Sequence, residues 1–117
     1  PERVYLLCDG AQACGHIPVN MRDMDALCVA GHKGMCGIQG AGALLLSERI
    51  PLAPLLYGGT GSESANPDMP DFLPDRLEAG TLSCPAIFSL AEGTLFVKAH
   101  MREHRKHLLR LTRRLCE

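Results

Sequence analysis

Two residues in this chain have the types and settings that chemistry asks for. Lys33 stands in Gly31-His32-Lys33-Gly34 and Asp9 in Cys8-Asp9-Gly10, 24 positions apart. A lysine amine can bond covalently to a carbonyl carbon when it is usable near neutral pH, which burial or a nearby cation encourages. A carboxylate can face a ring nitrogen and keep it protonated. Taken singly, neither residue is distinctive. A lone Asp after a strand is more often a turn residue or a helix cap, and a Lys flanked by glycines is usually solvated.

The surrounding elements decide whether the two can cooperate. Val4–Cys8 is a short apolar run that fits a buried parallel strand and stops at Asp9-Gly10. Ala26–Ala30 is a second such run, stopping at Gly31-His32-Lys33, and Ala43–Ser47 is a third. Four glycines at 34, 37, 40 and 42 predict a loop with close backbone approach or positive φ. Three buried strands with loops at their ends predict part of an α/β sheet, whose ligands sit at the carboxyl edge of the strands. Asp9 and Lys33 both fall just past such an edge. A carboxylate, an amine and a phosphate-holding loop are what pyridoxal phosphate (PLP) requires of a protein.

Residues 51–85 read as one long irregular segment, rich in proline and carrying Gly58-Gly59 and Gly61. A stretch of that length is usually functional or an interface arm. From Pro85 the apolar spacing turns helical, and a second helix is expected from about Met101 to the end, with Leu108, Leu111 and Leu115 on one face. The expected domains are a partial cofactor-binding domain over residues 1–99 and a bridging helix over 100–117.

Composition excludes several classes. The 117 residues suffice for one modest domain, and the formal net charge of −1 gives no overall attraction to nucleic acid or an anionic membrane. No apolar run approaches the length of a membrane span. Six residues of Arg102–Arg114 are basic, but no aromatics are interleaved with them, so a solvated helix face is expected rather than a nucleic-acid contact. His100, His104 and His107 lack a Cys or carboxylate to complete a metal set. The six cysteines form no CxxC pair and are expected to be reduced, in a cytoplasmic setting. Pro1-Glu2-Arg3 has neither an initiator Met nor a signal-peptide layout, and reads as the interior of something longer.

Four motifs, taken in order, are more specific than any one alone. Asp9-Gly10-Ala11-Gln12-Ala13, Ala30-Gly31-His32-Lys33-Gly34, Tyr57-Gly58-Gly59-Thr60-Gly61 and Arg76-Leu77-Glu78-Ala79-Gly80-Thr81 resemble the class V aminotransferase family. Within it, the cysteine desulfurase and selenocysteine lyase branch is most similar. The resemblance implies a PLP-dependent homodimer acting on L-cysteine or a related amino acid and leaving alanine. Lys33 would form the Schiff base, Asp9 would pair with the pyridine nitrogen and Gln12 with the phenolic oxygen. His32 would reach the cofactor phosphate, and Thr60 the phosphate held by the other subunit. Arg76 and Glu78 would be structural neighbours of the site.

The sequence departs from the family at Ala30, where a hydroxyl residue is common, and at Ile38 and Ala41 in the glycine loop. The resemblance also places the residue that stacks on the cofactor before Pro1. It places the substrate-carboxylate Arg and the persulfide Cys after Glu117, so none of the six cysteines takes the catalytic role. A recognisable half-site is therefore expected, without independent turnover. Two other functions stand beside it: a different class V activity (aminotransferase or β-lyase), and an inert module that self-associates through exposed sheet edges.

Overall fold

The computed structural model describes residues 4–63 and 65–117; Pro1–Arg3, read above as an interior start, lie outside them. Two units are distinguishable, one of residues 1–50 with 84–117 and the other of residues 51–83.

The first unit is built on a three-stranded sheet in the order β1-β2-β3, with β1 at Leu7–Asp9, β2 at Ala26–Ala30 and β3 at Gly42–Leu46. β1 and β2 run parallel, with Leu7 opposite Ala26 and Asp9 opposite Cys28. β2 and β3 are antiparallel, with Leu27 opposite Leu45 and Val29 opposite Ala43. Parallel pairing needs a long crossover, here residues 10–25, which contain a helical turn after Asp9 and a 3₁₀ turn at Met21–Asp23. The side chain of Asn20 accepts the Arg22 N–H at 3.0 Å to start that 3₁₀ turn.

Pairing, not hydrophobicity, sets where β1 begins. The apolar run starts at Val4, but ladder geometry starts at Leu7, where β2 supplies its first partner. The run is also not buried as expected: Val4, Tyr5, Leu6 and Leu7 are all exposed, and β3 is exposed over most of its length. Only β2, between two neighbours, buries residues, namely Ala26 and Leu27. Cys8 and Cys28 are half-buried, and the buried thiol is that of Cys14.

The amino edge of the sheet is tied by Asp25. Its Oδ2 accepts the Leu6 N–H at 3.0 Å and its Oδ1 accepts the Arg49 guanidinium at 2.5 Å. Its backbone completes the knot, donating to Leu6 O at 2.9 Å and accepting from Ser47 N–H at 2.8 Å. One buried carboxylate thus joins the starts of β1 and β2 to the segment after β3.

Where two helices were expected there is one, α1, running without interruption over Cys84–Cys116. Between Ala91 and Met101 there is no proline and one glycine, Gly93, so nothing ends the helix. The boundary read at 99/100 falls inside it. Ala86, Gly93 and Val97 are its buried residues, and they lie on one face of its first half.

The second unit, residues 51–83, is a chain of turns with a 3₁₀ turn at Asp75–Leu77. Gly80 N–H donates to Gly59 O at 2.8 Å, and Arg76 N–H to Phe72 O at 2.8 Å. Thr60 is buried, its Oγ1 3.2 Å from Ser62 Oγ, and Ser62 in turn donates to Asp75 Oδ2.

Candidate functional site at the carboxyl edge of the sheet

Because β1 and β2 are parallel neighbours, their carboxyl ends share one edge. Asp9 is the last residue of β1, and Lys33 lies in the turn over residues 31–35 that follows β2. The Gly10 N–H donates to Cys28 O at 2.9 Å, continuing the ladder past Asp9.

Asp9 does what an aspartate before a helical turn does. Its Oδ1 accepts the Ala11 N–H at 2.9 Å, and Cys14 N–H closes the turn onto Gly10 O at 2.9 Å. Among the described residues Oδ2 has no protein partner, so one carboxylate oxygen fixes the side chain of this exposed residue and the other is not committed to the fold. Gln12 is exposed on the same turn, and its backbone oxygen lies 3.0 Å from His16 Nδ1. His32 and Lys33 are likewise exposed.

The two turns are packed back to back through glycine. Gly15 has φ +86°, and a Cβ there would stand 2.0 Å from Gly34 O. A Cβ on Gly34 would meet Cys14 O at 2.3 Å. No side chain fits between them, which fixes the Asp9 turn against the Lys33 turn. Helix α1 supports the same loop from beneath. A Cβ on Gly93 would lie 2.2 Å from Met35 O, and Ser89 Oγ accepts the Ile38 N–H at 3.0 Å. The Lys33 loop also stores strain, because Cys36 is a non-glycine residue at φ 59°.

Asp9, Gln12, His32 and Lys33 therefore gather on one edge. Thr60 belongs to the second unit, as do Arg76 and Glu78, both half-buried there. Sequence reasoning missed Gly15, Ser89 and Gly93. A glycine inside a helical pattern was the available signal for Gly93, since it costs about 1 kcal/mol against Ala unless packing requires it.

The donor set matches PLP chemically: an amine for its carbonyl carbon, a carboxylate for its ring nitrogen, and an imidazole with turn N–H groups for its phosphate. Ala30, at the end of β2 opposite Gly42, contributes no hydroxyl to that set. An apolar groove of about 550 Å³ lies elsewhere, lined by Leu27, Val29, Ala43 and Leu45 of the sheet and by Leu90 and Val97 of α1. None of the four edge residues lines it, and it is open to solvent. The Cys14 thiol, which also lines it, is pushed above the usual thiol range by burial and then by the nearby Cys8. Among the described residues no group of three or more His, Cys, Asp or Glu could hold a metal ion, and no helix is long and apolar enough to cross a membrane.

Comparison with known proteins gives the family. The family model for aminotransferase class-V matches residues 2–117, and the chain belongs to that family, whose members depend on PLP. It is 30% identical over 118 residues to a mitochondrial cysteine desulfurase of Arthroderma benhamiae, covering 97% of this chain and 21% of that protein. It is 28% identical over 119 residues to the cysteine desulfurase of Mus musculus, covering 99% of this chain and 23% of that one. The apo structure of a cysteine desulfurase from Thermococcus onnurineus NA1 superposes with a TM-score of 0.58 at 29% identity, over 80% of this chain and 25% of that one. The chain thus spans about a fifth of the length of the curated relatives it matches, and its three-stranded sheet and helix correspond to part of the PLP-dependent transferase fold.

Proposed function

We propose that this chain carries the lysine and aspartate half of a PLP site, within a protein that removes sulfur from L-cysteine to leave alanine. The observation that carries the reading is the parallel pairing of β1 and β2, which brings the Asp9 and Lys33 turns to one edge. PLP, when bound, supplies an electron sink for the pair left when a bond at the amino acid's α-carbon breaks. Lys33 Nζ would hold the cofactor, and its amine, when free, would accept and return the α-proton of the substrate. The Asp9 carboxylate would accept a hydrogen bond from the ring N–H and keep that proton in place. Gln12 orients the ring through its phenolic oxygen, and His32 holds the phosphate together with turn N–H groups. Thr60 serves the phosphate of a partner subunit in a homodimer. The thiol that takes the sulfur is none of the six cysteines here.

The test is titration of the chain with PLP, followed by absorbance of the lysine adduct. The wild type is expected to develop the adduct band, and Lys33→Ala to lose it. An equal band in Lys33→Ala would remove Lys33 from the site. A second reading, an inert module that self-associates, is favoured by the exposure of Leu7 on the edge strand β1 and of Val4 and Leu6 just before it. The same titration separates the two, since that reading expects oligomers in sedimentation and no adduct band that depends on Lys33.

A further inference from the structure

The helical turn after Asp9 ends on a histidine that reaches across to the Lys33 turn. Cys14 N–H donates to Gly10 O at 2.9 Å, and the His16 and Ile17 N–H groups both return to Ala13 O at 3.0 Å. Among the described residues no backbone N–H reaches the Gln12 carbonyl, an orphan acceptor of the kind a helical end leaves. The side chain of His16 fills it, with Nδ1 3.0 Å from Gln12 O. A carbonyl oxygen can only accept, so Nδ1 carries the hydrogen in that bond. The same half-buried ring stands against Gly34, the residue after Lys33. A Cβ on Gly34 would come within 2.5 Å of His16 Nδ1 and 2.7 Å of its Cε1. His100 makes a similar bond to Phe96 O at 2.9 Å, but inside α1, where the helix ladder already gives that carbonyl a donor.

One imidazole therefore holds the Gln12 turn by a hydrogen bond and the Lys33 turn by packing. Gln12 needs such help, because it is exposed and its side chain has no hydrogen bond among the described residues. Only the backbone of its turn aims it. We infer that His16 is a positioning residue, which fixes the Gln12 amide at a set distance from the Lys33 amine. The inference rests on the PLP reading above, in which Gln12 meets the phenolic oxygen and Lys33 the carbonyl carbon of one ring. Those two groups are substituents on adjacent ring carbons. The side chains that serve them must keep their spacing, and a tether common to both turns does so directly.

The experiment uses the whole protein that contains this chain, first free of cofactor and then with PLP. In the cofactor-free protein, nitrogen NMR at about pH 8.5, above the ordinary imidazole range, should find the His16 hydrogen on Nδ1. In a PLP titration His16→Ala should raise Kd about fivefold, the size of one neutral hydrogen bond. It should also shift the absorbance of the Lys33 adduct in the same direction as Gln12→Ala, because Gln12 bonds an oxygen of the absorbing ring. Combined with Gln12→Ala it should add nothing further, since both changes remove the same contact. His16→Asn keeps an N–H donor near the Nδ1 position and should restore the wild-type spectrum. His16→Phe keeps a ring against Gly34 without the donor and should not. If His16→Ala unfolds the turn, the contrast between Asn and Phe decides alone. Hydrogen on Nε2, an unchanged adduct spectrum in His16→Ala, full additivity with Gln12→Ala, or equal spectra for Asn and Phe would overturn the inference and leave the PLP site standing. A wild type that forms no Lys33 adduct would instead overturn the PLP reading, and this inference with it.

Discussion

Two aspartates sit at opposite edges of the same sheet and are used in opposite ways. Asp25, at the amino edge, is buried, and both its carboxylate oxygens have protein partners, the Leu6 N–H and Arg49. Asp9, at the carboxyl edge, is exposed and has one oxygen engaged by the Ala11 N–H. Both oxygens of the first are committed to the fold; the second is held through one oxygen, and the other has no protein partner among the described residues. A carboxylate that ties a sheet together is satisfied by the fold, whereas one that serves a ligand must be positioned by the fold and left open.

Substitutions can break this contrast, and Asp25 should give the largest effect. Asp25→Ala strands the Leu6 N–H and releases Arg49, and should cost about 1.5–3 kcal/mol in urea unfolding, without changing the relative reactivity of Lys33. Gly93→Ala comes next. Its new methyl would press on Met35 O, so overpacking of about 1–3 kcal/mol is expected, together with reduced PLP adduct because the Lys33 loop is displaced. Asp9→Ala removes a turn cap worth about 0.5–2 kcal/mol, whereas Asp9→Asn keeps an acceptor for Ala11 N–H and should leave stability nearly unchanged. If Asp9→Asn proves as destabilising as Asp25→Ala, the contrast between the edges collapses. Arg49 is 65% exposed, so Arg49→Ala should cost only about 0.2–1 kcal/mol.

The pH dependence sharpens the comparison from between the edges. Cys14 in the folded chain ionises above the ordinary thiol value, chiefly through burial. Its contribution to stability is therefore complete below the free thiol's 9.0 and is lost as pH rises from there through the folded value. A urea midpoint that falls above that pH in the wild type should fall less in Cys14→Ala.

Much of the carboxyl edge was legible in the sequence. β2 was readable to its ends because Asp25 and Gly31 bracket an apolar run, and Lys33 follows at once. Asp9 was legible too, though its capping bond and its proposed ligand role are both compatible with the same position. The beginning of β1 was not legible, because an apolar run does not record where its partner strand starts. Asp25 escaped notice for a similar reason: its partners lie 19 and 24 residues away in sequence, and local spacing cannot encode them. The division of α1 into two helices rested on two stretches of helical spacing, one from Pro85 and one from about Met101, but helices end at caps and breakers, and none is there. Gly15, Gly34 and Gly93 act through close backbone approach, which composition signals only as glycine. Thr60, assigned by resemblance, is seen within its own unit as a buried hydroxyl beside Ser62.

The central claim is tested most directly by where PLP attaches. The chain has three lysines, Lys33, Lys98 and Lys106, all exposed, so exposure alone favours none of them. Incubation with limiting PLP, reduction with borohydride and peptide mass mapping should find the label concentrated on Lys33, and Asp9→Asn should lower the amount of label per chain on Lys33 without raising the amount on the other two. Label spread evenly over the three lysines, and indifferent to Asp9→Asn, would contradict the account.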